Sequence, residues 1–338
     1  MKKILVTGGF GFLGTHLLEI LLEDPNNQIT VIDNLSTNPL SIEPTLKLLN
    51  NPKQLNYEIA SVESSEILAN KSNKFDEIYH LASFVGPAGV LLHGGKMIGQ
   101  IITDAYRMID AAQNSNCRLL FVSTSEVYGG GIDGLCGENT PKIVPAKTSI
   151  RLEYGVGKIA AETAILNHAL LEKLDAIVVR PFNVAGPRQS GKGGFVLPRF
   201  IGAAIQNQPV TVFDDGGALR AFTHVRDIAM GCYLAMSKGK SGDIYNLGNP
   251  NNKTTILDLA KKVIELTGSN SEIVFIDPKN LYGKMYEASP DKYPDSSSAF
   301  AKLGWQNQFN LDALILDTFK FMKALEPDQL KVMAGISV

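Results

Sequence analysis

Apolar positions follow two rhythms along this chain. Through the first two-thirds, short apolar runs alternate with longer stretches in which apolar residues recur every three or four positions. The short runs predict strands at Lys3–Thr7, Gln28–Ile32, Asn56–Ala60, Glu77–His80, Arg118–Ser123 and Ala176–Val179. The periodic stretches predict helices at Gly14–Leu22, Met97–Asn114 and Tyr154–Leu174. Such alternation implies an α/β fold, a parallel sheet with helices on both faces. Beyond Arg180 the texture changes: Pro and Gly become frequent, short strands are expected at Val210–Phe213 and Ile273–Ile276, and helices at Leu197–Gln206, Ile256–Thr267 and Leu311–Leu325. This second part reads as a smaller domain docked over the sheet, with Asp243–Leu247 returning to the large sheet.

Composition narrows the partners. The 338 residues exceed what one core usually holds, with hydrophobic residues at 44% and charged residues at 20%, as in an ordinary globular protein. With 32 basic against 34 acidic residues and a formal charge of −2, no general attraction to nucleic acid or to an anionic membrane is expected, so phosphate binding must be local. No apolar run is long enough to span a bilayer, and MKKILVTGG leads directly into a strand pattern without the apolar core of a leader. The cytoplasm is the expected compartment. Cys117, Cys136 and Cys232 lack metal-ligand spacing and read as reduced structural thiols, so no metal is expected.

The first chemistry lies at the N-terminus. Thr7-Gly8-Gly9-Phe10-Gly11-Phe12-Leu13-Gly14 follows a predicted strand and opens a predicted helix, the context in which a glycine triplet binds a dinucleotide. Gly8 would allow the tight turn, Gly11 the approach of backbone to pyrophosphate, and Gly14 close helix–sheet packing, while the free N–H groups of the helix start meet the phosphates. Asp33, at the end of the second strand, suits the adenosine ribose hydroxyls and repels a 2′-phosphate, which favours NAD. Asn34 and Leu35 would flank the adenosine.

A second cluster follows the fifth strand. In Ser123-Thr124-Ser125-Glu126-Val127-Tyr128, an extended chain would send Thr124 and Glu126 to the same side. Tyr154-Gly155-Val156-Gly157-Lys158 places a phenol and an ammonium on one helical face. A nearby ammonium lowers a phenol's pKa, which would make Tyr154 a general base near neutrality, and Lys158 can also hold ribose hydroxyls.

In this order and at these distances, TGGFGFLG, HLAS, STSEVYG, YGVGK and RPFNVAGPRQ resemble the extended short-chain dehydrogenase/reductase family, and within it the nucleotide-sugar epimerases, dehydratases and decarboxylases. The resemblance implies a Rossmann-type doubly wound sheet with a smaller C-terminal α/β substrate-binding domain. Residues 1–180, joined by about 223–250, would bind NAD; 181–222 and 251–338 would bind the sugar nucleotide. It implies NAD contacts from Gly8, Phe10, Gly11, Phe12, Leu13, Asp33, Asn34, Leu35, Leu81, Ala82, Ser83, Ser123, Tyr154 and Lys158. Tyr154 would take the C4 hydroxyl proton while NAD takes the C4 hydride, with Thr124 on that hydroxyl and Ser125 against substrate. Asn183 and Arg220 would meet the diphosphate, Leu197 would start the helix over the nucleotide, and Val212 would lie in the strand facing the base. Asp227 is expected to cap a helix starting at Ile228, and His224 to be a packed structural histidine. In the family the helices equivalent to 97–114 and 154–174 pair across a dimer, so the resemblance implies a homodimer.

Glu126 bears on the second step. Thr-Ser-Glu resembles UDP-glucuronate decarboxylases and GDP-mannose-type 4,6-dehydratases, and Tyr282-Gly283-Lys284-Met285-Tyr286 with Lys292-Tyr293-Pro294-Asp295 leans toward the decarboxylases, in which an arginine stands where this chain has Lys292. Glu126 and Lys292 would then orient the sugar carboxylate or relay protons. Ser61, in place of an adenine-contacting aspartate, and the glycine-rich His93-Gly94-Gly95-Lys96 depart from the family's pattern. A 4-epimerase and a 4,6-dehydratase are the alternative enzymes. A non-catalytic NAD-binding scaffold and an oxidoreductase of a non-nucleotide alcohol are the alternatives of other kinds.

Overall fold

The computed structural model describes the chain apart from residues 39, 130–133, 147–149, 285, 288–289 and 336–338, and apart from the side chains of 87, 150, 281 and 282. The expectation at Met285 therefore lies outside the described residues. Among them, seven strands form the central sheet: β1 (Lys2–Thr7), β2 (Asn27–Asp33), β3 (Leu55–Ile59), β4 (Glu77–His80), β5 (Arg118–Val122), β6 (Ala176–Pro181) and β7 (Ile244–Leu247). Their order is β7-β6-β5-β4-β1-β2-β3, and every pairing is parallel. The six strands predicted for the first part are all present, and 244–247 returns beside β6.

Both faces of the sheet are covered, so successive strand residues feed different cores. Ile4 and Val6 pack with Leu17, Leu18 and Leu21 of the helix Phe12–Leu22 on one face. Leu5 and Phe121 pack with Ile101, Met108 and Ile165 on the other. There the helices Met97–Ser115 and Ile150–Leu170 lie against each other, because Gly157 is bare: a Cβ on it would stand 3.0 Å from Ile101 Cδ1. The second of these helices starts and ends four residues earlier than predicted. Glu172 takes a left-handed φ of 56°, which turns the chain before Leu174 drops into the sheet's core.

The chain after β6 builds a smaller layer. Val210–Phe213 pairs in parallel with Ile273–Ile276, and Leu197, Phe200, Val212, Leu259, Val263 and Leu314 form a separate core beneath it. The helix Val225–Lys238 packs back on the sheet beside Phe12–Leu22. It begins earlier than expected, and His224 caps it, Nδ1 accepting from the Arg226 N–H at 3.1 Å. Asp227 is not the cap. It is buried in the first turn and accepts from the Gln308 N–H at 3.1 Å and the Phe309 N–H at 3.4 Å, tying the C-terminal layer down. His224 is fully buried, stacked on Phe309 and bonded to Asp317, a packed histidine as expected. Among the described residues no helix is long and apolar enough to cross a membrane.

Candidate active site

The strand order reverses between β1 and β4, where an open α/β sheet leaves a crevice at its carboxyl ends. The glycine loop lies on this crevice. Gly8 takes a φ of +70°, and a Cβ there would meet the Ala82 nitrogen at 2.7 Å, so the loop and 81–83 close on each other only with glycine. A Cβ on Gly14 would stand 2.2 Å from the Gly8 carbonyl oxygen, which fixes the helix tight against the turn. The helix Phe12–Leu22 has neither a side-chain cap nor an acidic residue in its first turn. Its first N–H groups and their partial positive charge stay available to an anion.

Asp33 stands beside this loop, buried, and accepts from the Phe10 N–H at 2.9 Å and the Leu35 N–H at 2.8 Å. Burial pushes its carboxyl up while these backbone donors pull it down. The aspartate therefore shapes the turn as well, and its oxygens retain lone pairs for ribose hydroxyls. Asn34 and Leu35 follow it, Leu35 at a φ of 60°. Ser123 Oγ, at the end of β5, is buried and has no partner among the described residues. A cradle of bare glycines, an uncapped helix start, an edge carboxylate and an orphaned hydroxyl together fit a dinucleotide such as NAD.

The segment after Ser123 is not extended. Ser125–Tyr128 forms one 3-10 turn, capped by Thr124, whose hydroxyl accepts from the Glu126 N–H at 3.2 Å. This local bond competes with strand geometry. Glu126 and Thr124 therefore do not share a face as strand neighbours would. Tyr154 lies in the second turn of its helix, buried, and Thr124 and Ser83 lie close enough to pull its phenol down. The phenol thus stands beside Thr124, from the turn after β5, and Ser83, from the segment after β4.

The expected effect of Lys158 on the phenol is corrected. Its Nζ sits 6.0 Å from the centre of the Tyr154 ring and donates instead to the Val122 carbonyl oxygen at 2.9 Å. Sharing a helical face places two side chains near each other, but the ammonium has taken the nearest acceptor. Burial pushes the Tyr154 phenol well above its ordinary value, against the pull of Thr124 and Ser83. Burial also brings Lys158 down to about 8, with Asp104 and Glu162 acting in opposition. His80, bonded to Thr7 at 2.6 Å, lies near enough that burial, and then Lys158, lower it to about 3.

Glu126 stands between two cations. Arg151 Nη2 donates to Oε2 at 2.6 Å and Lys292 Nζ to Oε1 at 2.5 Å. Burial alone would raise its carboxyl, but Lys292 and then Arg151 hold it down at about 2. Arg151 was missed in the sequence, although it lies one helical turn before Tyr154. The buried pair beneath it was missed as well: Arg180 grips Glu162 through Nε at 2.9 Å and Nη2 at 2.7 Å, and donates from Nη1 to the Tyr128 hydroxyl at 2.7 Å. That network pins the 3-10 turn to the helix carrying Tyr154.

The nucleotide end is less uniform. Arg220 pairs with Asp291 at 3.2 Å and forms a backbone bridge with Lys292, which puts it at the edge of the Glu126 cluster. Asn183 takes a φ of 39° and donates weakly to the Ala221 carbonyl at 3.4 Å, and Ser125 is buried in the 3-10 turn. Leu197 and Val212 are fully buried in the smaller core, so only their backbone could face a nucleotide.

A sequence profile described as the NAD dependent epimerase/dehydratase family matches residues 4–248. The chain belongs to this family. It is 30% identical over 328 residues to the UDP-N-acetyl-alpha-D-glucosaminuronate decarboxylase of Bacillus cytotoxicus, covering 97% of this chain and 99% of that protein. It is 31% identical over 318 residues to UDP-glucuronic acid decarboxylase 3 of Arabidopsis thaliana, covering 91% and 85%. The UDP-glucuronic acid 4-epimerase of Bacillus cereus, solved with UDP-glucuronic acid and NAD, has the same fold at a TM-score of 0.82 and 24% identity, covering 96% of this chain and all 100% of that one. The dTDP-glucose 4,6-dehydratase of Bacillus anthracis, solved with NAD, matches at 0.80 and 21% identity, covering 96% and 97%. As an enzyme of this family the chain uses NAD, and the cradle at Gly8–Gly14 is where its residues fit that cofactor.

Proposed function

We propose that this chain decarboxylates a uridine-diphosphate hexuronate through a 4-keto stage, as a cytoplasmic homodimer. The observation that carries the reading is the cationic corner around Glu126, where Lys292 and Arg151 gather with Arg220 at its edge, close to the Tyr154 turn. Cations held at that point match an acidic sugar better than a neutral one. The near end-to-end likeness to two decarboxylases supports it. Exposed Tyr106, Leu170 and Leu171 on the paired helices 97–115 and 150–170 and just beyond support an interface there.

In this reading residues 1–180 with about 223–250 hold the cofactor, and 181–222 with 251–338 hold the sugar nucleotide. Gly8, Phe10, Gly11, Phe12 and Leu13 take the pyrophosphate, Asp33, Asn34 and Leu35 the adenosine, and Leu81, Ala82, Ser83, Ser123 and Lys158 the nicotinamide half. Asn183 and Arg220 take the substrate diphosphate, and the backbone at Leu197 and Val212 the base. When bound, NAD supplies a hydride acceptor and a positive charge beside the sugar ring. Tyr154 removes the C4 hydroxyl proton, with Thr124 and Ser83 stabilising the phenolate. The C4 ketone turns the C6 carboxylate into a β-keto acid. The C5–C6 bond then breaks, carbon dioxide leaves, the electron pair passes into the C4 enolate, and a proton returns to C5. Glu126, ionised down to about 2, is no proton donor at neutral pH. Lys292, whose charge burial disfavours, can deliver that proton.

The test is to incubate the enzyme with NAD and UDP-glucuronate, or its 2-acetamido analogue, and follow carbon dioxide. Release of carbon dioxide is expected, with a UDP-4-keto-pentose that becomes a UDP-pentose where the reduced cofactor returns the hydride to C4. Tyr154→Phe should lower that rate by about 1,000-fold while leaving NAD bound. A uronate product inverted at C4, with no carbon dioxide, would replace this reading with epimerisation; a 4-keto-6-deoxy product from a neutral sugar would replace it with dehydration.

A further inference from the structure

Arg151 opens the helix Ile150–Leu170 three residues ahead of Tyr154, so the two side chains leave the helix on one face. In a hexuronate the carboxyl carbon is only two bonds from C4. A sugar whose C4 hydroxyl meets Tyr154 therefore brings its carboxylate toward the side chain one turn before. Lys292 and Arg151 hold Glu126 from unlike surroundings. Lys292 is sealed at 1% exposure, whereas the Arg151 side chain is 26% exposed and opens outward.

Arg151 is also held below its capacity. A guanidinium matches a carboxylate best through two parallel bonds. Glu126 offers it a single oxygen, because the other is engaged by Lys292 at 2.5 Å. The remaining Arg151 bond runs from Nη1 to the Glu287 carbonyl at 3.2 Å. A substrate carboxylate with both oxygens available is the better partner, and Glu126 occupies its place until it arrives.

Building on the hexuronate reading above, we propose that Arg151 is the specificity-determining residue that reads the sugar carboxylate, exchanging the Glu126 oxygen for both oxygens of C6 and leaving Glu126 to hold Lys292. An uncharged hexose gives Arg151 nothing to exchange for, so the same exchange sets the preference for acidic sugars.

The experiment uses the full chain with NAD in a Tyr154→Phe background, so that bound sugar stays unoxidised, and titrates UDP-glucuronate, UDP-glucose and UDP calorimetrically. With Arg151 in place, UDP-glucuronate should bind about 10- to 100-fold more tightly than UDP-glucose, as expected for a charge-assisted contact. Arg151→Gln should bring that ratio to about 1 while UDP-glucose and UDP change by less than about two-fold. Arg151→Lys, which keeps the charge without the fork, should fall between. A ratio that survives Arg151→Gln overturns the proposal, as does an equal weakening of all three ligands, which would mark a purely structural arginine. Should the native enzyme release carbon dioxide from UDP-glucuronate while either of those results holds, the Arg151 assignment alone fails. Should the Tyr154→Phe protein bind UDP-glucose as well as UDP-glucuronate and the native enzyme release no carbon dioxide from any uronate, the hexuronate reading fails with it.

Discussion

Glu162 and Glu126 each stand between an arginine and a lysine, yet the two clusters do different work. Glu162 is fully buried; Arg180 grips both its oxygens at 2.9 and 2.7 Å, and Lys142 adds a bond of 2.6 Å. Glu126 gives one oxygen to Arg151 at 2.6 Å and the other to Lys292 at 2.5 Å, and its side chain remains 27% exposed. The closed cluster has every partner fixed and continues through Arg180 to Tyr128, which bonds Asn246 of β7. The open cluster has divided its oxygens and left one cation at the cleft. Equal charges thus brace the scaffold where they are sealed and two-pronged, and can trade partners where they are split and open.

The strongest way to break this comparison is to neutralise each glutamate. Glu162→Gln leaves Arg180 buried with its charge uncompensated, and a guanidinium does not shed its proton. A loss of about 3–5 kcal/mol in folding stability is expected, read from urea denaturation. Glu126→Gln leaves Lys292, which can give up a proton, and Arg151, which can turn to water. Its cost should be about 1–2 kcal/mol. Equal losses in the two variants would erase the distinction.

Activity sharpens the same contrast. Glu126→Gln should lower carbon dioxide release from UDP-glucuronate by about 100-fold while NADH formation from the C4 oxidation continues. If oxidation and carbon dioxide release fell together, Glu126 would belong to the first step rather than the second.

How much of this was legible in the sequence depended on the reach of each interaction. The glycine cradle was, because Gly8, Gly11 and Gly14 act within one turn and its helix. The 3-10 turn was not: Ser125-Glu126-Val127-Tyr128 follows closely on a strand, and only the Thr124 hydroxyl bond shows where the extended chain stops. The i,i+4 spacing of Tyr154 and Lys158 was read as contact, but spacing fixes a face and leaves the Nζ atom free to find the Val122 carbonyl. Arg151 was overlooked because its partner lies in another element, and Lys292 reaches Glu126 across 166 positions of chain. Long-range ion pairs leave no local periodicity to read.

Lys158 supplies the smallest and most discriminating prediction, because it is a buried cation of a third kind. Among the described residues no carboxylate touches it; its Nζ donates to a carbonyl, and Asp104 and Glu162 act on it only from a distance. Burial lowers its pKa from 10.5 to about 8. Between those values the unfolded chain holds the proton that the folded chain has released, so this group makes stability rise with pH from about 8 to 10.5 and destabilises the fold below that window. Lys158→Met should abolish turnover yet raise Tm by a few degrees at pH 7. The advantage should shrink as pH climbs through the window and vanish above it, when lysine is neutral in both states. Thermal melts of the two proteins at pH 7, 9 and 10.5 check this. A variant less stable than the native protein at pH 7 would mean that the Val122 bond outweighs the burial of charge, and that Lys158 braces the fold as Arg180 does.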